Sequence, residues 1–285
     1  MGNRQWAMVL VALPSAMSAQ RPVAANRVDI VAVNDSTFRI TGAPVAGMVE
    51  MRFTNRTSDI QSAHLVAVAQ GRSPDEAAQQ LRANQPVPWM GNAGGPGVLS
   101  PNRTASVTQE LPPGEYFVIG RRAGRDGRPR HMNGMLGRFT VTGVMPRTPD
   151  VRIDARITLE ARFQLFRIIY SANGREQQLT EREYRQEFGH GPRVLRIENT
   201  GGLFHEVVIL YSRGSRPHAM SAFAANRPLP EGVVVVGGVG YLPPGARVWL
   251  NIEMVRGSYM FFCPLRHRDG TPGHMLGEQV SQSIT

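Results

Sequence analysis

Lysine is absent from this sequence of 285 residues: all 32 basic side chains are arginine, against 22 acidic ones, for a formal net charge of +10. Coding bias accounts for arginine replacing lysine. What remains as a property is attraction to acidic protein surfaces and anionic headgroups, since arginine is always charged and meets carboxylates through a planar fork of donors. The arginines are spread along the whole chain rather than gathered on one helix or interleaved with aromatics, which argues against a nucleic-acid partner. Aromatic residues are also scarce, at 7%, and charged residues make up only 19%. The low charge density, with 41% hydrophobic residues, excludes a mostly disordered chain. Thirty glycines and 21 prolines exclude long helical bundles and favour short strands joined by turns.

Cysteine is nearly absent too. Cys263 stands alone, so no intrachain disulfide forms, and a lone thiol is buried and inert, metal-bound, or paired with another chain. Long hydrophobic runs are missing beyond the first residues. There, Gly2, Asn3 and Arg4 precede an apolar run from Trp6 to Met17 that contains Pro14 and is followed by Ser18 and Ala19. The run falls well short of the roughly 20 residues a spanning helix needs. Residues 1–19 are therefore expected to be a secretory signal, or else a retained anchor, and no cysteine follows that could carry a lipid. The expected location is extracytoplasmic, that is periplasmic, with peripheral membrane association open.

An internal repeat organises the rest. Arg125-Asp126-Gly127-Arg128-Pro129-Arg130-His131-Met132-Asn133-Gly134 reads against Arg268-Asp269-Gly270-Thr271-Pro272-Gly273-His274-Met275-Leu276-Gly277, with seven of ten positions identical. The offset between His131 and His274 is 143 residues. At that offset Gly114 and Tyr116 match Gly257 and Tyr259, and Gly94, Gly97, Leu99 and Pro101 match Gly237, Gly240, Leu242 and Pro244. Close to it, Ala83-Asn84-Gln85-Pro86 matches Ala225-Asn226-Arg227-Pro228. The chain reads as two copies of one fold, 27–143 and 150–285, joined near Pro146 and Pro149.

Alternating residues Val49, Met51 and Phe53, and Val194, Leu195 and Ile197, read as strands leading to turns at Asn55 and Asn199. Second strands follow at His64–Ala69 and His205–Leu210. Ser73-Pro74-Asp75-Glu76 reads as a capped helix start. Segments around Val107 and Tyr116, and around Trp249 and Tyr259, read as hairpins. The second copy is expected to carry an insertion, 157–188, ending in a helix at Thr180–Phe188.

The order of strand, Asn turn and histidine, then Tyr-x-x-x-Cys, a loop with proline and histidine, and a last strand resembles the cupredoxins, the small copper β-sandwiches typified by plastocyanin and azurin. The resemblance covers both copies apart from the insertion. It implies an all-β fold of two Greek-key sandwiches in tandem, each with a short helix in a loop. It also implies a copper centre in which one thiolate and two imidazoles lie in a plane with a weak axial ligand. Carried over, the second copy offers His205, Cys263 and His274, with Glu278 where the axial methionine is expected. His274 stands one residue late in its loop, after Gly273, and His267 is a substitute. In the first copy Gly120 stands at the cysteine position, leaving His64, His131 and Met135 as a remnant without a thiolate.

Multicopper oxidases and copper nitrite reductases need further histidines, commonly in His-x-His pairs, and this chain has none. A Cys/His hydrolase finds support only in Arg266 and Arg268 beside the cysteine loop. The expectation is therefore a non-enzymatic protein holding no cofactor, with copper as the alternative: an electron carrier with one copper in the second copy. Arg121, Arg122, Arg125, Arg128, Arg130, Arg266 and Arg268 are expected to form a basic rim where cupredoxins dock their partners. The expected partner is an acidic extracytoplasmic surface of a membrane electron-transfer complex, such as a photosynthetic reaction centre or a respiratory complex.

Overall fold

The computed structural model describes residues 26–147, 157–162, 165–172, 175–177, 191–214, 218–266, 270 and 279–284. The first copy runs β1 (Arg27–Asn34), β2 (Thr37–Thr41), β3 (Gly47–Asn55), β4 (Gln61–Val68), α1 (Pro74–Arg82), β5 (Met90–Asn92), β6 (Gly97–Leu99), β7 (Arg103–Leu111), β8 (Gly114–Ile119), a 3-10 turn at Arg130–Asn133 and β9 (Leu136–Val141). The second runs β10 (Ile157–Arg162), β11 (Leu165–Ala172), β12 (Arg175–Gln177), β13 (Gly191–Asn199), β14 (His205–Ser212), α2 (Ala219–Ala224), β15 (Val234–Leu242), β16 (Arg247–Met254), β17 (Gly257–Phe262) and β18 (Gln279–Ile284).

Period-two alternation sets the inner faces. Val49, Met51 and Phe53 of β3 are fully buried while their neighbours are half-buried or exposed. β4 and β14 lack this alternation because both their faces are covered: α1 packs Ala77 and Leu81 over Val66 and Val68, and α2 packs Ala219 and Phe223 over Val208 and Leu210. Ser73 caps α1, its Oγ accepting the Glu76 N–H at 3.3 Å, with Pro74 in the first turn.

In the first copy, β2-β1-β3-β7 form one layer, and β5-β4-β8-β9 the other, with β6 also paired to β4. β1 runs antiparallel to β2 but parallel to β3. The second copy repeats this: β10 runs antiparallel to β11 and parallel to β13, β13 pairs β16, and β15-β14-β17-β18 form the second layer. Two expectations change accordingly. The stretch from Ile157 is no insertion up to Ala172, since β10 and β11 take the places of β1 and β2; the expected helix at 180–188 lies outside the described residues. Nor do β7 and β8, or β16 and β17, form hairpins. Each short turn carries the chain from one layer to the other, where β7 pairs β3 and β8 pairs β4.

Equivalent residues make equivalent bonds. Tyr116 donates its hydroxyl to Pro112 O at 2.9 Å, and Tyr259 to Val255 O at 2.9 Å, each four residues back, as in a tyrosine corner. Asn55 Nδ2 donates to Asp59 O and Leu99 O, and Asn199 Nδ2 to Leu203 O and Leu242 O, tying each turn to the opposite layer.

The copies are not beads on a string. β7 of the first pairs β16 of the second over Ser106–Gln109 and Val248–Asn251, joining two sheets into one of nine strands. Val107 lies opposite Leu250, its own repeat equivalent, so the contact is isologous and the copies meet about a pseudo-twofold axis. Near the same axis β6 crosses the strand β15, with Gly94 N–H donating to Tyr241 O at 3.0 Å and Gly240 N–H to Gly95 O at 2.9 Å. One hydrophobic cluster runs through both copies, from Val107 and Leu99 to Val239 and Leu250. No helix among the described residues is long and apolar enough to cross a membrane.

Candidate metal centre

The end of each sandwich where the histidine strand begins and the Tyr-x-x-x-Cys strand finishes is the place to look for ligands. In the second copy His205 opens β14 and Cys263 follows β17, and both side chains are buried. The backbone N–H of Glu206 points at Cys263 Sγ, 3.4 Å away, which places the thiol against the first residues of β14 beside His205. His274, Glu278 and the substitute His267 lie outside the described residues, as does Arg268. Among the described residues no group of three or more His, Cys, Asp or Glu side chains is arranged to hold a metal ion.

The first copy's remnant serves other purposes. A Cβ placed on Gly120 would lie 2.8 Å from Met135 Sδ, so the fully buried thioether occupies the space a cysteine side chain would need. These residues do not fit a copper–thiolate centre. Gly120→Cys alone is expected to destabilise the chain by about 1–3 kcal/mol through overpacking, with part recovered when Met135→Ala is added. Urea unfolding of the single and double variants measures this.

His131, in the 3-10 turn, is also engaged. Its Nδ1 donates to Gly120 O at 3.1 Å and its Nε2 lies 3.3 Å from Asn84 Oδ1. Burial lowers its pKa from 6.5, against the opposing pull of the Gly120 carbonyl, with Arg121 and His64 nearby adding to the lowering. The folded state thus holds the ring neutral at pH values where the unfolded chain protonates it. Stability is expected to fall as pH drops below about 6.5, and to level off once the folded-state ring also titrates. In His131→Gln that slope should be shallower, as read from unfolding free energies between about pH 7 and about pH 5.

His64 is engaged by the other copy. Its Nε2 lies 2.9 Å from Oε1 of Glu206 in the second copy, with both side chains buried, and its ring sits 5.1 Å from that of Tyr241. Its buried Nδ1 has no hydrogen-bond partner among the described residues. The Arg121 guanidinium lies over the Tyr241 ring at 4.5 Å and donates to Asn92 Oδ1 at 2.6 Å. Burial pushes the Tyr241 hydroxyl up to about 12, with Glu206 adding to the shift. Burial likewise lowers the Arg121 pKa, with Tyr241 and Glu206 opposing it. The buried His64 and Glu206, with the half-buried Tyr241 and Arg121, form a polar joint between the copies. Sequence reading missed Glu206 and Tyr241. The available signal was a carboxylate inside the apolar run His205-Glu206-Val207-Val208-Ile209-Leu210, a position that demands a partner.

The expected basic rim divides. Arg125, Arg128 and Arg266 are exposed. Arg130 is not on a rim: it is buried and paired at 2.9 Å with both Asp35 and Asp59. Arg121 and Arg122 are corrected as well, because each reaches across the joint. The Arg122 guanidinium stacks on Phe223 at 4.3 Å and donates to Phe223 O at 3.1 Å.

Strand order decides the fold of each copy: one layer in which β1 runs parallel to β3, a second closed by the strands flanking the ligand loop, and a histidine and a cysteine position at the shared end. The fold is two cupredoxin-like domains. Solved structures similar to this chain include a multicopper oxidase, 14% identical, with TM-score 0.24, over 91% of this chain and 88% of that one. Another is the dithionite-reduced auracyanin of the photosynthetic bacterium Roseiflexus castenholzii, 17% identical, with TM-score 0.28, over 42% of this chain and 99% of that one. A third is the copper-containing nitrite reductase of Thermus scotoductus, 13% identical, with TM-score 0.23, over 91% of this chain and 60% of that one. No family model and no curated protein matches the sequence.

Proposed function

We propose that this chain is a non-enzymatic, exported binding protein that works without a blue-copper site. In this reading it is a tandem cupredoxin-like scaffold docking as an extrinsic subunit on the acidic extracytoplasmic face of a membrane electron-transfer complex, such as a photosynthetic reaction centre or a respiratory complex. One observation carries the loss of metal chemistry from the first copy: Met135 fills the thiolate space beside Gly120, and His64 is bonded to Glu206 of the other copy. His64, at a ligand position, joins the two copies instead. The net charge of +10 supplies attraction to an acidic surface. Membrane fractions prepared at low salt should retain the chain, and salt should release it as the screening length falls from about 10 Å at 0.1 M to about 3 Å at 1 M. A chain recovered only in the soluble fraction at low salt would refute the docking. Mass analysis of the mature N-terminus, expected to lack residues 1–19, tests export separately.

A second reading is favoured by the Glu206 N–H aimed at Cys263 Sγ. A thiol buried beside His205 and accepting a backbone hydrogen bond suits a copper ligand, with His274 and Glu278 completing the set. Bound copper would supply one-electron exchange, while the chain's residues hold the thiolate and keep water from it. Copper added to the purified protein should then produce an intense visible charge-transfer band that Cys263→Ser abolishes. Wild-type protein that stays colourless would eliminate this alternative.

A further inference from the structure

A second feature of the joint is a cleft of about 450 Å³ on the surface, where the 122–130 loop of the first copy meets the turn after α2 in the second. The turn is seated on the loop by Asn226, which holds a left-handed backbone at φ 52° and reaches Ala123 O with its Nδ2 at 3.5 Å. Arg122, Arg125, Arg130 and Arg227 line the cleft, together with Ser58 and Asp59.

The charges do not balance. Asp59 is already committed, together with Asp35, to the buried Arg130. Arg122, Arg125 and Arg227 have no carboxylate within 4.0 Å among the described residues. Arg122 is half-buried all the same, and burial lowers its pKa to about 10, with Glu206 opposing and Arg130 adding to the lowering. Arg125 and Arg227 are exposed and free to move towards a ligand. Arg227 belongs to the second copy alone, because its repeat equivalent is Gln85. Ile60 and Leu229, both half-buried, add apolar wall to the cleft.

We infer that this inter-copy cleft binds an acidic peptide segment of a partner protein, its carboxylates meeting Arg125 and Arg227 and an adjoining apolar side chain resting on Ile60 and Leu229. Asp59 on the wall disfavours a compact multiply charged anion such as phosphate, whereas a peptide spaces single carboxylates away from it. The inference deepens the docking reading above and rests on it for the partner's being a protein surface. It places recognition at the seam between the copies rather than at the mouth of a metal centre.

The test uses the purified full chain and a short amidated peptide alternating glutamate and leucine, with binding followed by calorimetry at low salt. Arg125→Gln together with Arg227→Gln should weaken binding roughly ten-fold, about the loss of two exposed ion pairs. Arg39→Gln with Arg103→Gln removes the same net charge from exposed positions outside the cleft and should change affinity less than about two-fold. Equal weakening in both pairs, unchanged binding in the cleft pair, or inorganic phosphate displacing the peptide at equal concentration would each overturn the inference. Membrane fractionation of the cleft variant separates the two readings. If wild type is retained and the cleft variant is retained equally, docking stands and the cleft does not carry it. If wild type is not retained while peptide binding stays cleft-dependent, the cleft stands and the membrane partner falls.

Discussion

Gly240→Ala is expected to lower the stability of the folded chain by about 2–3 kcal/mol. A Cβ at this position would lie 2.5 Å from Gly94 O and 2.6 Å from His64 Cδ2, and the first of these is backbone on the other copy that cannot swing aside. The Gly240 N–H also donates to Gly95 O, so separating the strands to make room would lengthen that bond and disturb the Gly94–Tyr241 bond beside it. Gly97 sits in the mirrored position, its missing Cβ 2.9 Å from Val239 N, with a backbone at φ +71° that favours glycine in addition. Gly202→Ala is the matched control: it is exposed, nothing lies within 4 Å of the added methyl, and it should change stability by no more than about 0.5 kcal/mol. Denaturant unfolding of the two variants side by side decides the matter. A Gly240→Ala protein as stable as Gly202→Ala would mean that the copies do not meet as described.

The second large effect concerns the buried pair at the joint. His64→Ala leaves the buried Glu206 side chain without its 2.9 Å hydrogen-bond partner, which is expected to cost about 2–3 kcal/mol. Replacing both residues together, His64→Leu with Glu206→Leu, should recover most of the loss, because two packed apolar side chains need no partner. A cycle of the two single variants and the double variant, measured by urea unfolding, should therefore show strong coupling between residues that belong to different copies. Additive losses would show that the two side chains do not depend on each other. The coupling also bears on function. If the second copy holds copper through His205, a Glu206 drawn towards His64 links the metal side of β14 to the first copy, and the charge-transfer band should shift in Glu206→Gln.

The two largest effects fall on residues of which the sequence had exposed only half the meaning. The recurrence of Gly97 as Gly240 was legible as a repeat. Its physical cause, two backbones crossing too closely for a Cβ, appears only when β6 and β15 are brought together. Tyr116 and Tyr259 likewise announced the duplication before their hydroxyls were seen to tie each sandwich corner to its own backbone.

By itself the sequence determined the all-β class, the duplication, the helix start at Ser73, and the absence of a thiolate from the first copy. These depend on composition, period-two alternation, turn residues and self-similarity, all local properties of the chain. It also put His205 and Cys263 in matching places of one repeat, which was enough to nominate them. Only the tertiary structure decided which strands share a sheet. It turned the presumed hairpins into crossings between layers and returned Ile157–Ala172 to the sandwich as its first two strands. It also decided the fate of the arginines and of His64. Whether a charged side chain forms a rim or a joint depends on what the other copy places opposite it, here Tyr241, Phe223 and Glu206, residues more than a hundred positions away. Periodicity within one copy cannot encode that contact, because burying a charge is settled by its partner, and the partner is known only once the two copies fold against each other.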